Sequence, residues 1–156
     1  MKTNIGIPDK NREKVAALLA PLLADEYVLQ AKTRNAHWNV VGPDFHAMHL
    51  FFEEQYTKLA EVIDEIAERI RMLGGTAPGS LGAFLKLTHL KELDSKLSHS
   101  APFVKALLAD HETIIREMRD AAEICQKVED EGTNDFIIGL IQEHEKTAWM
   151  LRATLA

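Results

Sequence analysis

Between a turn at Val41-Gly42-Pro43-Asp44 and the glycine pair Gly74-Gly75 lies a stretch of roughly thirty residues free of glycine and proline. Leu59, Val62, Ile63, Ile66, Ile70 and Leu73 recur along it at three- and four-residue spacing, the period of one helix face. A helix of that length extends about 45 Å, and it can bury its apolar stripe only against partners of similar length. The rest of the chain supplies them. A first helix is expected from Asp9 or Lys10 to Trp38, with Asp9 as a candidate cap and an apolar stripe from Val15 to Leu29. Pro21 falls inside that pattern and predicts a kink, because it removes one hydrogen bond and crowds the preceding turn. Ser100-Ala101-Pro102 signals another start, with Ser100 as cap, for a helix continuing to about Val128. Glu129-Asp130-Glu131-Gly132 ends it, and Thr133 or Asn134 opens a last helix that runs to near Leu155. The connection from Thr76 to Glu92 is too long to be bare, and Ala83, Phe84 and Leu85 predict a short helix within it. The fold class is all-α: a four-helix bundle with a short extra helix between its second and third long helices. Residues 1–8 read as a short tail and 9–156 as one domain.

Composition narrows what such a bundle does. Hydrophobic content of 46% and charged content of 27% are those of a folded globular chain. No apolar run approaches the length of a membrane span, and the N-terminus lacks the basic-then-apolar pattern of a secretory signal. The expected location is the cytoplasm, with association with the nucleoid as the alternative. A net charge of −6 opposes non-specific attraction to DNA. Cys125, the single cysteine, reads as a small buried hydrophobe.

The chemistry lies at the two ends of the second long helix. His49 and Glu53 are four apart, as are Asp64 and Glu68, so each pair shares a helix face. His49 and Asp64 are separated by about 22 Å of helix, too far for one ion to bridge within one chain. Positions 49 and 68, and likewise 53 and 64, are symmetric about a midpoint between Lys58 and Leu59. Two copies crossing antiparallel about a two-fold axis there would bring each His49 end to the other chain's acidic end. His37, just before the turn, can join His49 from its own chain. Two imidazoles with two carboxylates form a mixed N/O set suited to Fe(II), Mn(II) or Zn(II). Spacing alone leaves Glu61/Glu65 as an equal alternative to Asp64/Glu68.

The run His37-Trp38-Asn39-Val40, Gly42, Phe45, His49 and Asp64-Glu65-Ile66-Ala67-Glu68-Arg69-Ile70 closely resembles the Dps family, the ferritin-like mini-ferritins. The resemblance covers nearly the whole chain. It implies a di-iron ferroxidase centre across a two-fold interface, with His37, His49, Asp64 and Glu68 as ligands, and it favours Asp64/Glu68 over Glu61/Glu65. Glu53 stands where the family usually has Asp, which keeps the charge on a longer arm. Trp38, beside His37, is implied to lie near the iron, where it can donate an electron. The resemblance further implies a hollow homo-dodecamer that oxidises Fe(II), preferably with hydrogen peroxide, and stores Fe(III) mineral. Glu131 and Asp135, with Asp130 as a weaker member, match positions where the family lines a three-fold pore with carboxylates. Glu54 is a candidate for mineral nucleation on the cavity wall.

The remaining candidates read as structural. His46 is expected to make an exposed polar contact; His89, His99, His111 and His144 show no partners at convincing spacing; Phe136 and Trp149 read as core. Glu-x-x-His, the signature of a di-metal site inside one bundle, does not occur. The competing functional class is a DNA-condensing cage. Family members of that kind carry a longer lysine-rich tail, whereas Lys2 is the one lysine before the first helix, and Lys10, Arg12 and Lys14 read as a solvated helix face. A gel shift at low salt should therefore leave plasmid DNA unretarded; retardation that salt abolishes would reverse this expectation.

Overall fold

The computed structural model describes residues 3–94 and 96–156 and contains five helices and no strand among them. They are α1 (Asp9–Asn39), α2 (Phe45–Met72), α3 (Leu81–Leu87), α4 (Ser100–Lys127) and α5 (Glu131–Ala153). α1 packs along α2 and α4 along α5, and α1 joins the two pairs while also carrying α3. The core is a single cluster in which Leu19, Leu23, Phe52, Ile66, Phe103, Ile114 and Ile137 are almost wholly buried. α3 docks through Phe84, whose ring stacks on Tyr27 of α1 with centroids 4.4 Å apart.

Pro21 lies inside α1, which continues as one helix from end to end. The apolar stripe on both sides of the proline buries enough surface against α2 and α4 to offset one missing hydrogen bond. Gly74 ends α2 at φ +87, the left-handed conformation that glycine adopts without strain.

Several helix starts differ from expectation. α1 begins after Pro8, and Asp9 is no cap: its carboxylate pairs with Arg12 at 2.7 Å. Arg12 is correspondingly not solvated. Its guanidinium is buried and donates to the Thr3, Ile7 and Leu73 carbonyls, fastening the N-terminal segment to the end of α2. Lys2 lies outside the described residues. α4 already includes Ser100 as its first residue, preceded by His99 without a side-chain cap. α5 opens at Glu131 rather than at Thr133 or Asn134, because the Asp130 carboxylate accepts from the Thr133 amide and hydroxyl. Cys125 is buried as expected, and burial pushes its thiol up to about 11. Phe136 packs against the core as a partly buried side chain. Trp149 does not belong to the core: it is 62% exposed on α5.

The long connection is held by a buried carboxylate. Asp25 on α1 is fully buried and accepts from the Thr88 hydroxyl, the His89 amide and the His89 ring Nδ1, each at 2.7–2.8 Å. The hydrogen bond to Asp25 raises the His89 pKa above 6.5, against a smaller opposing effect of burial. The folded state thus holds that proton more tightly than the unfolded chain does. The resulting stabilisation is complete below pH 6.5 and fades as pH rises through the raised value. Asp25→Ala should cost about 3 kcal/mol, since it strands three donors, the Thr88 hydroxyl, the His89 amide and the His89 ring N–H. The stability gap between wild type and His89→Ala, read by chemical denaturation, should be wide near about pH 6 and narrower near about pH 9. A gap that widens with pH would contradict the pairing.

Candidate metal centre

α1 ends at Asn39 and α2 begins at Phe45, so the two histidines flanking this turn face each other across adjoining helix ends. Gly42 takes φ +131 in the turn. Val41 is tied to the segment before α4 by its amide bond to the Ser98 carbonyl at 2.8 Å. The His37 and His49 rings stack with centroids 3.8 Å apart and planes inclined by 21°. Each Nδ1 reaches the other residue's carbonyl oxygen: His37 Nδ1 to His49 O at 2.8 Å, and His49 Nδ1 to His37 O at 2.9 Å.

This reciprocal lock assigns the tautomers. A carbonyl oxygen only accepts, so both Nδ1 atoms must carry hydrogen, and in each neutral ring the lone pair is left on Nε2. The lock uses a carbonyl that the helix itself leaves free, because residue 37 falls in the last turn of α1. A ring held through Nδ1–H and presenting Nε2 is the usual arrangement of a metal-ligating histidine. Tyr56 packs edge-on with His37 at 5.2 Å, Arg34 lies over the Tyr56 ring at 4.6 Å, and Phe45 flanks His49 at 5.1 Å. The two rings are thus held by groups of the protein itself.

The carboxylates lie elsewhere. Asp64 and Glu68 are exposed toward the other end of α2, whereas Glu53 is exposed one turn after His49. Among the described residues of one protomer, no three His, Cys, Asp or Glu side chains converge as a metal site. Within one chain the His37 and His49 rings are together, and Asp64 and Glu68 sit toward the other end of α2. Trp38, next to His37 in the chain, is 67% exposed, and Val41, Phe45 and Leu50 are further exposed apolar side chains in and after the turn. His46 is exposed.

Of the pore candidates, Glu131 and Asp135 are exposed at the start of α5. Asp130 is not: it is 1% exposed, and its carboxylate caps α5 and pairs with Arg69 at 3.0 Å. It serves the helix start and the α2–α5 contact, so its charge is committed inside the protomer.

Comparison with known proteins decides the family. The family model described as a ferritin-like domain matches residues 16–156. DNA protection during starvation protein 2 of Bacillus anthracis is 40% identical over 92% of this chain and 97% of its own length. The chain belongs to the Dps family. A low temperature-induced protein of Nostoc sp. is 46% identical over 97% of this chain and 86% of its own length. Among solved structures, the Dps protein from Vibrio cholerae O1 superposes with a TM-score of 0.93 at 35% identity, covering 100% of this chain and 98% of that one. That structure is described as a member of a broad superfamily of ferritin-like diiron-carboxylate proteins. As a Dps protein, this chain falls in the general class of iron-storing, protective ferritin-like proteins.

Sequence reading missed two features of this Dps chain. Asp25 carries the connection, and a buried chain of Glu26, His144 and His111 crosses the bundle. Each comes from separate helices, so no short spacing motif could reveal it. The histidine lock itself has a direct test. Neutron diffraction should place deuterium on Nδ1 of both His37 and His49; deuterium on either Nε2 would show that the ring is not poised for a metal.

Proposed function

We propose that this Dps protein is a ferroxidase and iron store whose reaction centre is completed by a two-fold partner. The observation that carries the proposal is the His37–His49 lock, which presents two Nε2 lone pairs while Asp64 and Glu68 lie toward the other end of the same helix and no complete ligand set forms within one protomer. His37 and His49 of one protomer bind Fe(II) together with Asp64 and Glu68 of the partner, and Glu53 supplies a further carboxylate to the second iron position. The uncovered apolar surface around Trp38, Val41, Phe45 and Leu50 supports a mating face at this end of α2. In the reaction, each of two Fe(II) ions loses one electron. One hydrogen peroxide takes both electrons and two protons, and its O–O bond breaks to give water. Paired oxidation leaves no one-electron step that would release hydroxyl radical.

The ligand set suits this chemistry. Carboxylates are hard, anionic donors that favour Fe(III), and neutral imidazoles hold Fe(II) without adding charge. Trp38, exposed next to His37, is placed to give up an electron when only one iron is bound. Fe(III) then moves into the cavity of a dodecameric shell and mineralises as ferric oxyhydroxide. Exposed Glu131 and Asp135 line the three-fold entry, where repeated negative charge concentrates Fe(II). The net charge of −6 keeps DNA binding weak or absent. The cytoplasm is its site of action.

Asp64→Ala should slow rapid Fe(II) oxidation by at least about tenfold, of the order that loss of one metal ligand or its support costs. Light scattering should still find a particle of twelve chains. Oxidation at the wild-type rate by an intact shell would remove Asp64 from the centre. Oxidation assays with peroxide and with oxygen as sole acceptor should show the peroxide reaction to be faster.

A further inference from the structure

Arg34 is an exposed side chain near the end of α1, and its guanidinium lies over the Tyr56 ring, 4.6 Å from the centroid. Among the described residues it meets no carboxylate. A guanidinium resting on an aromatic face keeps its N–H edge free to fork onto an acid, so this cation is held in place with its donors unused. Tyr56 belongs to the α1 side of α2: its ring packs edge-on with His37 at 5.2 Å, and its carbonyl accepts from the Gln30 side chain at 3.3 Å.

Most acids of α2 have other commitments. Glu54 pairs with Lys58 at 3.3 Å, and Asp64 and Glu68 are the partner-directed ligands of the proposed centre. Glu61 is exposed and, among the described residues, has no ion-pair partner. In its own chain it borders the cleft between α2 and α5, on the side of the helix away from Tyr56. Glu65, one turn on, lines the same cleft and lies further round from the face carrying Glu53, Ala60 and Asp64.

Symmetry brings the unpaired charges together. Positions 56 and 61 share the midpoint between Lys58 and Leu59 that already relates 49 to 68 and 53 to 64. At about 100° per residue, Tyr56 falls about 60° to one side of the Glu53, Ala60 and Asp64 face, and Glu61 about 80° to the other. A two-fold turn about the normal to that face reverses both the direction along the helix and the side around it. It therefore carries the partner's Glu61 to Tyr56, within reach of Arg34. Both positions lie about 4 Å along the helix from the axis, where the crossing angle of the two helices changes their meeting little.

We propose that Arg34, held over Tyr56, is the docking cation for a second copy of this chain. It pairs with the partner's Glu61, twice in each dimer, and sets the register in which His37 and His49 meet the partner's Asp64 and Glu68. The proposal rests on the shared-centre reading above. An exposed ion pair adds little affinity by itself; its value is in rejecting registers that leave the charges unmatched or put like charges together. The same side chain bears on Tyr56, so the contact that aligns the subunits adjoins the ring of His37.

Charge reversal tests the pairing. Subunit exchange between isotope-labelled and unlabelled assemblies, followed by native mass spectrometry at low salt, reads how firmly the dimers hold. Arg34→Glu and Glu61→Arg should each speed exchange at least about fivefold, because each sets like charges together twice per dimer. The two substitutions combined should restore exchange to within about twofold of wild type, and high salt should narrow the gap between single variants and wild type. Where a single reversal prevents assembly, assembly of the combined variant is the expected rescue. Wild-type exchange in both single variants would overturn the proposal, as would a combined variant no better than the worse single one. All three variants keep His37, His49, Asp64 and Glu68, so the ligand assignment is judged apart from them, by mixing chains that lack the histidines with chains that lack the acids. Rescue here with no activity there keeps the register and removes the ligands; the reverse removes only the Arg34–Glu61 pair.

Discussion

A helix cannot bring its own two ends together. α2 carries His49 near its start and Asp64 and Glu68 toward its finish, and its 28 residues hold them apart as a rod. The proposed function follows from that separation. One protomer offers imidazoles at one place and Asp64 and Glu68 at another, and in the proposed arrangement a second copy crossing antiparallel would join them twice, once at each end. The reaction centre and the dimer would then be one feature. The apolar surface left uncovered near the histidines fits the same requirement, because a shared centre needs a face that two copies can bury.

Local chemistry prepares the histidine half in advance. The last turn of α1 has carbonyls without helical partners, and His49 uses one of them to fix its ring. His37 returns the bond. The interior of the bundle works by the same means, since polar groups are buried where each has a task. Asp25 holds the long connection, Asp130 starts α5, and Arg12 gathers the N-terminal segment. Glu26, wholly buried, is paired with the His144 ring at 2.9 Å.

Much of the bundle was legible in the sequence because helix periodicity and turn residues are local signals. The helix from Phe45, the short helix around Phe84 and the left-handed stop at Gly74 are all where their residues indicate. Errors arose where tertiary contacts chose between local options. Asp9, a good cap by type, was drawn to Arg12, and Arg12 was drawn inward by three carbonyls. Asp130 looked like one acid among several until its bonds to Thr133 and Arg69 made it a cap. Trp149 shares the helical period of the core yet faces outward on α5. For the candidate site, spacing singled out His49 with Glu53 and left Asp64/Glu68 and Glu61/Glu65 as equal alternatives, and only family resemblance favoured Asp64/Glu68. The Glu26–His144–His111 chain left no trace, since its members are far apart in sequence and meet only when α1, α4 and α5 pack.

The measurement that most directly tests a shared centre is subunit complementation. One variant lacks both imidazoles (His37→Ala, His49→Ala), and the other lacks both carboxylates (Asp64→Ala, Glu68→Ala). Each alone should be unable to oxidise Fe(II) rapidly. Assembled together, a mixed pair contains one fully broken and one fully intact centre, so random mixing should restore about one quarter of wild-type activity. Activity that stays at the level of the separate variants, in shells proven to contain both chains, would mean that the ligands do not come from two subunits.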